Sequence, residues 1–493
     1  MEGILPPRPF CIRNLLHLLL QQPRLMKISF HGAARTVTGS KHIVHISNGK
    51  KLLLDCGMFQ GMGKETFPLN NEWGFEPTEI SYVIISHAHI DHIGLLPKLV
   101  KDGYNGKIYC TTATADLIEL LLIDSAHIQE ADVRYSNKHR EREGRELIEP
   151  LYTLEDAQAV FPMLVTADYN ETVVIEDGIE LLYTDCGHIL GSAAVNLKIK
   201  DGGKDVRITF SGDVGRYRDM ILRSPDVFPQ ADFILLESTY GDRLHDLNVV
   251  AADKLLDQVK HTCLGKKGKL VIPAFSLGRT QELLYLLNRL ELEKRLPSLK
   301  YYVDSPLSIK ATEIIKAHHE CFNKHVRKLL DKDEDVFSFK GLTYIRDVED
   351  SMALNVSEEP CVIISASGMA EAGRIKHHIK HTIADSKNTI MFSGYCEPNS
   401  LGGRLREGAD QVSIFGKSYM VRAEIDAIDA LSAHGDYEDL SQWLACQEEH
   451  LVAKLFLVHG EYDVQLKFRD RLIRKGFKDV EIPAQHQTIG LGL

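Results

Sequence analysis

The residues best able to do chemistry are concentrated in one short run, Ser86-His87-Ala88-His89-Ile90-Asp91-His92. Imidazole and carboxylate are ligand types for zinc and its neighbours. The run follows the apolar stretch Tyr82 to Ile85, which reads as a buried strand. It precedes Ile93, Leu95, Leu96, Leu99 and Val100, whose spacing reads as a helix. A strand-to-helix turn must therefore position these donors. In an extended segment His87 and His89 point the same way. Asp91 and His92 fall where the chain bends and face a second centre. Four donors on one turn point to two metal ions.

Other strand ends carry matching donors. His188 stands in Asp-Cys-Gly-His-Ile-Leu-Gly-Ser, between two strands. Asp213 follows the strand Val206–Ser211 in Ser-Gly-Asp-Val-Gly, and His459 follows Lys454–Val458 in Val-His-Gly-Glu. Each is a ligand type beside glycine after an apolar strand, which fixes a donor and leaves room for an ion.

The elements around them change character along the chain. From Met26 to about Tyr240, short strands and turns dominate. After Asp242, helices and strands alternate: helix 251–262, strand 269–272, helix 280–292, strand 300–303, helix 309–318, strand 361–365, helix 372–379 and strand 389–392. That alternation predicts a parallel, doubly wound α/β sheet, with function at the carboxyl ends of its strands. The domains expected are 26–242, 243–422 and a returning piece 423–493, after a disordered leader over 1–25.

Composition excludes several classes. The net charge of −11 gives no global attraction for nucleic acid, so a polyanion would be met by a local cleft or by metal. Nine dispersed cysteines without a C-x-x-C pair argue for a reducing, cytoplasmic setting. No stretch is long enough to span a bilayer. The charged segment Lys138–Arg145 reads as a solvated helix face, with an RNA-contacting face as the alternative.

On these residues the chain resembles the metallo-β-lactamase superfamily, and within it the β-CASP family. The superfamily motifs stand as Asp55, His87-Ala-His89-Ile-Asp91-His92, His188 and Asp213. The β-CASP markers stand as Glu237 in Leu-Glu-Ser-Thr-Tyr-Gly, His434 in Ser-Ala-His-Gly-Asp, and His459. The resemblance implies an αββα metallo-β-lactamase sandwich interrupted by an α/β β-CASP domain. It assigns one metal to His87, His89 and His188, the other to Asp91, His92 and His459, and a bridge to Asp213. Asp55 would orient ligands. The ions implied are two zinc, with manganese as the alternative.

Two divalent ions suit in-line hydrolysis of a phosphodiester, here to a 5′-phosphate and a 3′-hydroxyl. Asp91, Asp213, Glu237 and His434 are the expected catalytic set, with His434 as general acid, or phosphate contact, held by Glu237. Glycine-bearing loops at the strand ends nominate Ser276, Arg279, Ser367, Arg374 and Arg404 for substrate phosphates. His459, by resemblance, points to single-stranded RNA rather than DNA. A DNA nuclease, a hydrolase of a small ester or thioester, and a non-catalytic RNA-binding scaffold are the competing readings. Endonuclease cleavage is expected, with 5′-3′ exonuclease action as a second mode. The 34 residues after His459 leave no room for the extra domain of the ribonuclease J group. The resemblance is nearer to compact relatives of the endonuclease that cleaves mRNA 3′ ends. A homodimer is compatible with the chain.

Overall fold

The computed structural model describes residues 25–245, 249–394, 396–428 and 432–492. The expected leader lies outside this range except for the exposed Leu25. Met26 is buried, and its carbonyl accepts from Leu491 N.

Two seven-stranded sheets form the first domain. One contains β1 (Lys27–Gly32), β2 (Lys41–His45), β3 (Lys51–Leu54), β4 (Tyr82–Ile84), β5 (Lys107–Cys110) and β6 (Leu164–Thr166), in that order, with β22 (Thr488–Gly490) on the edge beside β1. The other contains β7 (Thr172–Glu176), β8 (Ile179–Asp185), β9 (Ala193–Asp201), β10 (Lys204–Phe210) and β11 (Phe233–Glu237). It continues through β20 (Lys454–Val458) to β21 (Val480–Glu481). Alternation along each strand sorts side chains between layers. Leu52, Leu54 and Ile84 of the first sheet pack inward on Tyr183, Leu197, Phe210 and Leu235 of the second. Leu53, Val83 and Ile108 face outward onto Leu117, Ile118 and Leu121 of the long helix Thr112–Arg142. On the far side, Ile234, Leu236 and Leu455 meet Trp443, Phe468 and Leu472. The result is the expected αββα sandwich.

The inserted domain is a sheet of β12 (Leu270–Pro273), β13 (Lys300–Val303), β14 (Leu342–Tyr344), β15 (Cys361–Ser365), β16 (Thr389–Phe392) and β19 (Glu424–Ala427). All pairings are parallel, in the order β14-β13-β15-β12-β16-β19. Helices cover both faces. Ile272 packs with Leu283 and Leu286 on one side, and Val271 packs with Ile375 and Ile379 on the other. The hairpin of β17 (Gln411–Ile414) and β18 (Lys417–Met420) precedes the edge strand β19. This moves the predicted boundary. Residues 424–427 pair with β16, so the chain returns to the first domain after Ile428 and not at 423.

The domains share one apolar cluster. It runs from Leu117, Ile118 and Leu122 of the long helix to Ile309, Phe322 and Phe337 of the insertion. Leu222 and Phe322 form an antiparallel bridge, flanked by Arg223 N to Cys321 O at 3.1 Å and Asn323 N to Ile221 O at 2.8 Å. The charged end of the long helix satisfies itself locally. Arg134 pairs with Glu130, Arg145 with Glu143, and Arg140 Nε donates to the carbonyl of Glu146. That favours the solvated-face reading. No described helix is long and apolar enough to cross a membrane, and the eight described cysteines are free.

Candidate metal centre

The donor turn is gripped by the loop after β3 and by Ser40, just before β2. Cys56 N donates to His92 O at 2.8 Å, Met58 N to Ile90 O at 3.1 Å, and Ser40 N to Asp91 O at 2.8 Å. Gly57 passes so close that a Cβ there would stand 1.6 Å from the carbonyl oxygen of Asp91. Asp55 closes β3 with φ of 57° and is fully buried. Its Oδ1 accepts from Ser86 N at 2.8 Å, and its Oδ2 lies 2.6 Å from His92 Nδ1. That contact holds Nδ1 of the ring, which leaves Nε2 facing His459 and Asp213. His188 follows β8, where Ser192 Oγ accepts from its backbone N–H at 3.0 Å. Asp213 follows β10. His459 follows β20 with φ of 48°, a strained backbone for a non-glycine residue, locked by its N–H to Ala33 O at 2.7 Å.

The predicted donors converge in two groups. His87, His89, His188 and Asp213 form one, and Asp91, His92 and His459 the other; within each, the donor atoms lie within 4.8 Å of one another. Asp213 stands between them. Its Oδ2 is 3.4 Å from His87 Nε2, 3.5 Å from His188 Nε2 and 3.4 Å from His92 Nε2. Its Oδ1, 3.5 Å from His459 Nδ1, has no hydrogen-bond partner among the described residues.

These donors fit cations. His87 Nε2 and His188 Nε2 both face His89 Nδ1, at 3.1 and 3.2 Å, and His92 Nε2 faces His459 Nε2 at 3.3 Å. One proton between two nitrogens satisfies a single pair, not the whole set. Burial holds His87, His188 and His89 well below the usual histidine range, His89 at about 4, and so in the neutral form that ligates metal. Burial also pulls His92 down, but Asp213, Asp55 and Asp91 more than reverse it and draw positive charge to this side. A metal ion meets both demands.

A third cluster joins Asp213 to Glu237 and His434. Glu237 is fully buried at the end of β11. Its Oε1 accepts from Val214 N at 2.8 Å and lies 3.1 Å from His434 Nδ1, while Oε2 accepts from Thr239 N at 3.1 Å. His434 Nδ1 is also 3.9 Å from Asp213 Oδ2. Burial pulls the His434 pKa down, but the charges of Glu237 and Asp213 outweigh it and lift it to about 9.

The nominated phosphate contacts fare differently. Arg374 is committed within its own domain: Nη1 donates to Asp304 Oδ1 at 2.6 Å and Nη2 to the carbonyl of Arg346 at 2.8 Å. Arg279 is buried and ion-paired to Glu282 at 2.7 Å, with Nε unpartnered among the described residues. In each a carboxylate already engages the guanidinium: Asp304, distant in sequence, for Arg374, and Glu282, one helical turn on, for Arg279. Ser276 and Ser367 are partly exposed on loops after β12 and β15, and Arg404 is exposed with Nη1 on Asn399 O at 2.9 Å. The structure adds Tyr240 and His245 to the site. His245 Nε2 is 3.0 Å from the carbonyl of His434, and the Tyr240 ring lies 4.5 Å from that of His245 and 6.1 Å from that of His434. Tyr240 belongs to the Leu-Glu-Ser-Thr-Tyr-Gly marker, a sequence signal that could have found it.

Comparison with known proteins agrees. Three family models match: "Metallo-beta-lactamase superfamily" over residues 42–261, "Beta-Casp domain" over 280–405, and "Zn-dependent metallo-hydrolase RNA specificity domain" over 418–483. Ribonuclease TTHA0252 of Thermus thermophilus is 33% identical over 92% of this chain and 97% of its own. Transcription termination factor FttA of Methanocaldococcus jannaschii is 30% identical over 94% of this chain and 71% of its own. An RNase J-like protein of the same organism is 29% identical over 90% of this chain and 94% of its own. A crystal structure of a protein of unknown function from Enterococcus faecalis has the same fold, with a TM-score of 0.52 at 13% identity over 94% of this chain and 99% of its own. Seven donors in two groups, the Glu237–His434 pair and the inserted parallel sheet point the same way as these matches: the chain belongs to the β-CASP family of the metallo-β-lactamase superfamily.

Proposed function

We propose that this chain is a metal-dependent ribonuclease that hydrolyses phosphodiester bonds in single-stranded RNA, leaving a 5′-phosphate and a 3′-hydroxyl. The observation that carries the reading is the convergence of the two donor groups and the Glu237–His434 pair on one carboxylate, Asp213. His87, His89, His188 and Asp213, and Asp91, His92 and His459, would hold two zinc ions, or manganese, which would supply Lewis acidity at the phosphate and lower the pKa of water.

The protein's own groups do the rest. Asp55 holds Nδ1 of His92 and keeps Nε2 turned inward. Glu237 is anchored by two backbone N–H groups, so its carboxylate cannot swing away from His434. Beside that anion and Asp213 the His434 ring keeps its proton, ready for the leaving 3′-oxygen. RNA is favoured over DNA by the names of the relatives, by His459 in the last motif, and by the match of residues 418–483 to an RNA specificity domain. The inserted domain, docked against the metal loops, argues against a small substrate. The relatives named as termination factors favour RNA processing at transcript ends as the setting.

Side-by-side assays on labelled single-stranded RNA, single-stranded DNA and nitrocefin test the reading. Cleavage of RNA well above the other two is expected. Activity on nitrocefin alone would overturn it.

A further inference from the structure

We infer that Phe275 is a stacking platform for one nucleobase of the RNA, a positioning residue beside the metal centre; this rests on the ribonuclease reading. Phe275 follows β12 at the carboxyl edge of the inserted sheet and is 42% exposed, although its neighbours Ala274 and Leu277 are buried. Its backbone is fixed. The carbonyl accepts from Thr280 Oγ1 at 2.8 Å and from Thr280 N at 3.2 Å, so the ring is presented on a rigid loop.

The ring also has a built seat. It lies on Gly368, where a Cβ would stand 2.7 Å from Cδ2 and 2.8 Å from Cε2 of the ring. Glycine there lets the ring rest against the backbone while the side chain stays open to solvent. An exposed phenyl on a fixed loop offers a π-face that any base can cover, without sequence preference.

Its location ties it to the chemistry. Three residues on, Gly278 abuts Ile189, the residue after His188, with 3.8 Å from a Cβ position to Ile189 Cγ2. The loop therefore runs from an open aromatic to the loop that carries His188. A base stacked on Phe275 would hold the strand in register while the neighbouring phosphate sits at the metals.

The test uses the metal-loaded full chain and a set of single-stranded RNAs, each carrying one abasic ribose at successive positions around the cleavage site. With the natural residue, one position is expected to raise KM by about 5- to 100-fold, the range of base–aromatic stacking, with kcat little changed. Phe275→Ala should raise KM on intact RNA by a similar factor and erase the penalty at that one position. Phe275→Tyr, which keeps the ring, should restore both and guards against a folding defect. An unchanged abasic profile in Phe275→Ala would overturn this inference alone. A natural chain that cleaves no RNA would overturn it together with the nuclease reading.

Discussion

Asp213 is the residue on which the three clusters turn, because its two oxygens face four different histidines. It is at once a bridge between the donor groups and a neighbour of His434, and substitution separates the two roles. His434→Ala leaves all seven metal donors intact, so metal content should hold while kcat falls by about 10²- to 10⁴-fold, the usual contribution of a general acid. Metal analysis with steady-state rates checks both halves; full activity in the variant would remove His434 from the mechanism. The metal donors are legible in the sequence because residue type and spacing at strand ends carry the information. The surroundings of Arg374 are not: it advertises charge, but only the fold brings Asp304 against it, whereas the Glu282 that pairs with Arg279 stands one helical turn away in the sequence.

At the scale of elements, the donor turn works because backbone grips backbone. The loop of Cys56 and Met58 donates to carbonyls of the turn, and Gly57 lets the two chains touch. Gly57→Ala puts a methyl group where the Asp91 carbonyl stands, so the turn must shift. Metal affinity should weaken by about 10- to 100-fold, as for other supports of a metal site, with activity restored in part by excess metal. Competition with a chelating dye measures it, and unchanged affinity would contradict the tight packing. Strands with a continuous apolar run, such as Phe233–Glu237 and Cys361–Ser365, are readable at their observed bounds. The strand Glu424–Ala427 is not: it joins the inserted sheet, although the sequence places it with the first domain. Its four residues are all half-buried, so its pattern does not say which domain it joins.

For the whole molecule, one polar clamp joins the domains beside the shared apolar cluster. His318 of the insertion lies with Nε2 2.8 Å from Asp116 of the long helix and Nδ1 2.7 Å from Glu320. Burial lowers its pKa, but the bonds to the two carboxylates prevail and raise it above 6.5. A raised histidine contributes stability that is complete below its unfolded pKa and is lost as pH climbs through the folded value. Thermal melts should therefore show the natural chain losing stability above pH 6.5, and His318→Gln should flatten that part of the curve. The same slope in both proteins would remove the clamp from the docking of the domains. The most direct measurement is the digestion of end-labelled single-stranded RNA by the natural chain and by Asp213→Ala, with metal analysis of each. The expected result is internal cleavage to 5′-phosphate and 3′-hydroxyl ends with two ions bound in the natural chain, and loss of both cleavage and metal in the variant. Undiminished cleavage by Asp213→Ala would contradict a reaction centred on this carboxylate.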